Sequence, residues 1–329
     1  MKKHYWLIVL TACFSVFFIL SCNNDDNNRG TTEEPPVLAG HAPVLKGKLI
    51  YHNYSSYESE DSRMYMYDFG TNELKCISDN WQNIRHPMNA HFSPDGKKIT
   101  FMGIGRETNS WDIYLYDISG ANPPVNLTPS GSTRDEDPKF SPDGKRIIFK
   151  QSGKIAEMNL EAGKTTKINL DNSEYSMPYY NAEGTKIVCS KGGGRSSSIV
   201  VIDMASGTAK TLYDTPGVQD YYPVTADVIS FYYTTGYSET NRIDQIYRGY
   251  WSGLKSKRLP FNGTDGDYSD AYPVNSDWII ICSTRTGSLG GYDLYIANVV
   301  SGEIFPMTDY NKDINTSKNE LGPCVYIYE

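Results

Sequence analysis

The feature that most limits what this chain of 329 residues can fold into is a ten-residue segment that occurs twice almost unchanged. Phe92-Ser-Pro-Asp-Gly-Lys-Lys-Ile-Thr-Phe101 returns 48 residues later as Phe140-Ser-Pro-Asp-Gly-Lys-Arg-Ile-Ile-Phe149. Proline presets φ at the second position of a turn, aspartate bonds the local backbone, and glycine accepts the positive φ that closes a tight hairpin. Each segment therefore reads strand, turn, strand. Four weaker copies follow, marked by Pro178, Pro223, Pro273 and Pro323 where the strong copies carry Ala90 and Pro138. The intervals between markers are 48, 40, 45, 50 and 50 residues, the period of propeller blades or helical arrays. The sequence between markers decides for blades. Met64-Tyr-Met-Tyr-Asp68, Ile113-Tyr-Leu-Tyr-Asp117, Ile199-Val-Val-Ile-Asp203 and Leu294-Tyr-Ile-Ala-Asn298 are strand-like, and Ile155–Met158 and Ile246–Gly249 alternate in the same places. Tracts with a period of 3.6 are missing, while 26 tyrosines and 28 glycines suit strands and turns.

Both ends of the repeat region are incomplete in a complementary way. Gly47-Lys-Leu-Ile-Tyr51 has the character of a second strand with no first strand before it, and Gly322-Pro-Cys-Val-Tyr-Ile-Tyr328 of a first strand with nothing after it. Pairing the two removes two sheet edges. The expectation is an all-β chain over residues 44–329: a six-bladed β-propeller of four-stranded antiparallel blades, closed by pairing of its N- and C-terminal strands.

The pattern Asp-Pro-x-Phe-Ser-Pro-Asp-Gly-Lys-x-Ile-x-Phe around Asp137 and Phe149 resembles the β-propeller repeat of the TolB C-terminal domain. The likeness spans roughly residues 44–329 and is strongest in the two leading copies. It implies a propeller and a habit of binding proteins or other ligands at the propeller mouth. TolB carries a smaller domain ahead of its propeller where this chain has a polar stretch, which puts a direct part in the Tol–Pal system in doubt.

Lys2 and Lys3 precede an apolar run from Tyr5 to Leu20 that is short for a membrane span, the layout of a secretory signal. It ends in Ile19-Leu20-Ser21-Cys22, which resembles the lipobox of bacterial lipoproteins. That likeness implies cleavage before Cys22 and lipidation of its sulfur, with acyl chains sufficient for stable anchoring. Residues 1–21 then form the signal peptide and residues 22–43 a flexible polar tether, opening with Asn23-Asn24-Asp25-Asp26 and too poor in apolar residues to fold. The expected location is the outer membrane, by a lipid anchor, on its periplasmic or its surface face. Loss of Lys2 and Lys3 takes the formal charge from −8 to −10. No Lys/Arg cluster stands out, so nucleic acid is not an expected partner.

The candidate ligand site comes from the loops that lead into each first strand. Asp135, Asp220, Asp270 and Glu320 stand three residues before their marker prolines, Glu174 lies beside Tyr175 at the same place, and Asp137 directly precedes Pro138. They are expected to form an acidic ring at one mouth, drawing a cation or a basic peptide. The alternative is that they accept bonds from loop backbone N–H groups. The propeller also resembles that of oligogalacturonate lyase, a resemblance that implies a metal held by histidines. His86 and His91 are the weak metal candidates, five residues apart, and no histidine lies in the later units. Cys76, Cys189, Cys282 and Cys324 read as thiols spread over separate units. Tyr179-Tyr180, Tyr221-Tyr222, Tyr232-Tyr233 and Tyr250-Trp251 each place rings on opposite strand faces, so that one ring of each pair either stacks on a sugar or packs against the next blade. No Gly-x-Ser-x-Gly is present for a serine hydrolase. The reading is a monomeric, membrane-tethered propeller without a cofactor, binding a protein, peptide or glycan at its mouth, with metal-assisted polysaccharide lyase as the alternative.

Overall fold

In the computed structural model, residues 40–168, 170–193, 196–237 and 242–328 are described. The signal, Cys22 and most of the tether lie outside the described residues. The two strong copies fold as the residue types dictate. In the first, Ser93 Oγ donates to Asp95 Oδ1 at 2.6 Å, Asp95 Oδ1 accepts from Lys97 N at 3.1 Å, and Ser93 Oγ accepts from Lys98 N at 2.9 Å. Gly96 closes the turn at φ 66°, and Gly144 does so at 69° in the second. In the third copy Asn181 replaces the serine, its Oδ1 accepting from Thr185 N and Lys186 N at 2.9 and 2.8 Å. Glycine serves a second purpose here. A Cβ on Gly144 would stand 3.4 Å from Pro94 Cδ, and one on Gly184 3.3 Å from Pro142 Cδ, so the proline of each turn packs on the glycine of the next.

The strands assemble into four separate four-stranded sheets and one eight-stranded sheet. The first sheet combines both ends of the repeat region: Gly47–Tyr54 pairs antiparallel with Asn319–Ile327, Leu49 opposite Val325 and Asn53 opposite Glu320. The second holds Ile84–Phe92, Lys98–Gly105, Trp111–Asp117 and Val125–Asn126, and the third starts at Asp135–Phe140. The last separate sheet runs from Tyr268–Pro273 to Ile304–Pro306.

Six separate blades are therefore not what the sheets display. The strands from Tyr175–Tyr180 to Lys257–Arg258 form one continuous sheet, because Ser197 and Gln219 pair in parallel across the expected unit boundary. The outer strand Ala209–Tyr213 pairs no further than Ile199, which leaves the end of Ser196–Asp203 open. Ser197 fills that gap by donating its hydroxyl to Asp220 O at 2.9 Å.

Each sheet is covered on both faces, which is why the second strands are unbroken apolar runs rather than alternating ones. Ile147, Ile148 and Phe149 are all fully buried, as are Ile279, Ile280 and Ile281. The same geometry settles one tyrosine pair. Tyr232 packs with Ile279 and Ile281 while Tyr233 packs with Val188 and Ile199, so both rings are buried and neither is free for a sugar. All four described cysteines are free thiols; three are buried and Cys76 is half-buried.

Candidate functional site

Six first strands converge, and each is interrupted at the same place. The pairing register slips in all of them, and the residue at the slip has a left-handed backbone: Asn89, Asp137, Met177, Tyr222, Asp270 and Gly322, with φ from 51° to 60°. A left-handed residue other than glycine costs on the order of 1 kcal/mol, and such outliers gather where side chains must be re-aimed. The register also corrects one sequence assignment. Tyr272 faces Ile280 as Lys139 faces Ile148, so Ala271, not Pro273, is the equivalent of Pro138, and Asp270 belongs with Asp137 rather than with Asp135.

The expected acidic ring divides into three groups. Asp135, Asp220 and Glu320 share one register position and are each 0% exposed. Asp220 accepts from Thr215 N at 2.8 Å, Glu320 from Thr316 N at 3.1 Å and Thr316 Oγ1 at 2.6 Å, and Asp135 from Thr133 Oγ1 at 3.2 Å. Burial pushes all three carboxyls up. These groups hold loops and do not line an open mouth. Glu174 is exposed on the rim and pairs with Lys150 at 3.0 Å. The rim is accordingly mixed in charge: Glu136 sits between Arg134 at 2.7 Å and Lys150 at 3.3 Å, Arg85 meets Glu60 at 2.6 Å, and Lys191 meets Asp171 at 2.7 Å. Only Asp137 and Asp270 face inward from the slipped strands. Asn89 Nδ2 donates to Asp137 at 2.8 Å. Burial, with further repulsion from Asp244 and Asp137, pushes the Asp270 carboxyl up to about 7.

Two residues beyond each slip stand His91, Lys139, Tyr179, Val224, Tyr272 and Cys324. Three of them meet although they come from different sheets. His91 Nε2 and Tyr179 Oη are 2.9 Å apart, and Tyr179 donates to Tyr272 Oη at 3.4 Å. On the far side they floor an apolar hollow of about 260 Å³ between the hairpin turns, lined also by Pro94, Pro142 and Ala182.

Beside the loop-face mouth is a group that the sequence argument passed over. Tyr57, alone among serines and acids in Ser55-Ser56-Tyr57-Glu58-Ser59-Glu60, sits on a short 3-10 turn capped by Ser56. Its ring stacks 6.2 Å from that of Trp111 at 18° and meets His86 edge-on at 5.4 Å. Arg134 lies 5.5 Å over Trp111 and donates to Tyr57 Oη at 2.9 Å. Tyr57 is 43% exposed, and His86 lines an adjoining polar cavity of about 290 Å³. The signal was present as one aromatic residue in a polar loop.

A metal does not fit the histidines. A ligating imidazole donates its other ring N–H to an acceptor, whereas here the Nδ1 atoms accept: His86 from Ser62 N at 3.3 Å, His52 from Asn89 N at 3.4 Å, and His91 from Phe140 N at 3.2 Å. Each Nε2 then carries the proton. Burial lowers all three pKa values, that of His52 to about 3. Among the described residues no three His, Cys, Asp or Glu side chains are grouped to hold an ion.

The TolB beta propeller domain family matches residues 45–246, well over half of the chain. The chain belongs to that family. A protein of Agrobacterium fabrum, Atu1656, described as uncharacterized, is 30% identical over 141 residues; the match covers 39% of this chain and 46% of that protein, so the chain spans about half of that relative. TolB from Acinetobacter baumannii superposes with a TM-score of 0.65 at 19% identity, over 86% of this chain and 67% of that one. A structure of oligogalacturonate lyase in complex with manganese superposes with a TM-score of 0.52 at 13% identity, over 80% and 74%. At these identities the likeness is one of fold.

Proposed function

We propose that the chain is a lipid-anchored cell-envelope propeller that binds a protein or peptide segment at its loop-face mouth. In this reading the eight-stranded sheet serves as two blades of a six-bladed ring, pairing of the terminal strands closes that ring, and Cys22 anchors it to the outer membrane through the tether.

One observation carries the reading: a half-exposed Tyr57 stacked on Trp111 and bonded to Arg134, beside a polar cavity and a rim of paired charges. Tyr, Trp and Arg are the side chains that dominate protein interfaces, where a flat aromatic body excludes water around a directed hydrogen bond. The rim offers both signs of charge, which suits a peptide better than a polyanion. The lyase alternative finds no donor set for a metal among the described residues.

A photo-crosslinking amino acid at position 57, compared with one at Val125 on an outer strand, tests the mouth in intact cells. An adduct of one defined mass at 57 and none at 125 supports it, and equal labelling overturns it. Oligosaccharides that displace the adduct would make the ligand a glycan. The anchor is tested separately: Cys22→Ser abolishes incorporation of labelled palmitate and releases the protein from membranes.

A further inference from the structure

In antiparallel four-stranded units the first-to-second and third-to-fourth connections lie at the same end. That end carries the Ser-Pro-Asp-Gly turns, and two sheets break its polar pattern. Val228 and Ile229 replace the polar turn between Gln219–Thr225 and Ser230–Tyr237, Leu254 tops the turn before Lys257–Arg258, and Val300 the turn before Ile304–Pro306. All four are between 65% and 73% exposed. The tips are held in place. Trp251 N donates to Ile229 O at 3.2 Å, and Tyr213 Oη donates to Leu254 O at 2.7 Å.

Two further observations say what this surface meets. Lys210, Lys255 and Lys257 surround the Leu254 turn, all exposed, and pair with no carboxylate among the described residues. Gly40, where the described chain begins, lies against Glu303 and Phe305, next to the Val300 turn. Seventeen residues separate it from Cys22, at most about 60 Å of chain.

We infer that the turn face rests on an anionic lipid surface, with Ile229, Val228, Leu254 and Val300 entering the headgroup region and the lysines meeting lipid phosphates. Aliphatic tips backed by Trp and Tyr and flanked by lysine are the pattern of interfacial attachment. The orientation rests on the anchored-propeller reading and gives it a direction: the loop-face mouth points away from the bilayer. The apolar hollow between Pro94, Pro142 and Ala182 opens on the lipid side.

The test uses the lipidated full chain in vesicles of equal phosphatidylethanolamine and phosphatidylglycerol, part of it with brominated acyl chains. Ile229→Trp is expected to be quenched at least threefold more than Leu289→Trp, an exposed position on the opposite face, after subtraction of the native tryptophans. Equal quenching overturns the proposal, and so does an unquenched Ile229→Trp, the outcome if this surface docks a protein. A second arm uses Cys22→Ser on the same vesicles at low salt. Adding Ile229→Asp and Leu254→Asp is expected to weaken binding about tenfold; unchanged binding overturns the surface. If native Cys22 takes no palmitate while this second arm succeeds, the anchor reading fails and the surface stands.

Discussion

The two ends of the same hairpins are built on opposite principles. At the turn end, short polar motifs recur from copy to copy, each serine or asparagine is satisfied within five residues, and proline packs on the next glycine. At the loop end no motif recurs. Non-glycine residues take left-handed conformations, carboxylates are buried, and His52 Nε2, His86 Nε2 and Asn53 Oδ1 have no hydrogen-bond partner. Buried polar atoms without partners cost on the order of 1–3 kcal/mol each. One end is thus arranged for stability, and the other keeps strain and unpaired groups beside the mouth proposed as the binding site.

The largest effect that would break this comparison is expected at Glu320. Its carboxylate accepts from Thr316 N, Thr316 Oγ1 and Asn53 Nδ2 on the strand pair that joins the two ends of the fold. Glu320→Ala should lower stability by about 2–3 kcal/mol, because the half-buried Thr316 N–H and the buried Asn53 amide both lose their acceptor. Glu320→Gln keeps an acceptor and should stay within about 1 kcal/mol of the parent. If urea unfolding gives the same loss for both, the carboxylate does not act as a loop anchor.

Asp270 should show the opposite sign. With its carboxyl held up to about 7, the folded chain keeps a proton that the unfolded chain releases near pH 4. The stability linked to this proton is fully present below about pH 4 and is lost as pH rises to 7. Asp270→Asn should therefore stabilise the protein at pH 8 by on the order of 2 kcal/mol and change little at pH 4. Thermal unfolding at the two pH values checks it; an equal shift at both would mean that Asp270 ionises normally.

The turn end was legible in the sequence because local chemistry determines it: Ser-Pro-Asp-Gly specifies the same hairpin wherever it stands, so strand order and the pairing of Gly47–Tyr54 with the last strand could be read from spacing alone. Sheet separation was not, since one contact between Ser197 and Gln219 merges two units and depends on where the Ala209–Tyr213 strand stops. The loop end was read less well for a related reason. Counting back from a proline assumes that the proline keeps one register position, and Pro273 stands where Phe140 does, two places later than Pro138, which misplaces Asp270 by two. Tyr57, Trp111 and Arg134 come together from three separated segments, a proximity that no local pattern encodes.

The smallest effect sharpens the comparison most directly. Of the six residues at the register slip, Asn89, Asp137 and Asp270 have side chains that tolerate a left-handed backbone and Gly322 has none to clash, which leaves Met177 and Tyr222 as the strained pair. Met177 is only half-buried, so replacing it loses little apolar packing. Met177→Asn places at this strand the residue that the second sheet already uses at Asn89, and should stabilise the protein by about 0.5–1 kcal/mol. Gly144→Asn makes the reciprocal change at the turn end, where glycine is already free of strain at φ 69°, and should cost a few tenths of a kcal/mol. Paired urea titrations at pH 7 decide between the two ends: if Met177→Asn is neutral or destabilising while Gly144→Asn costs more, the left-handed slip carries no strain and the contrast between the faces reduces to hydrogen bonding alone.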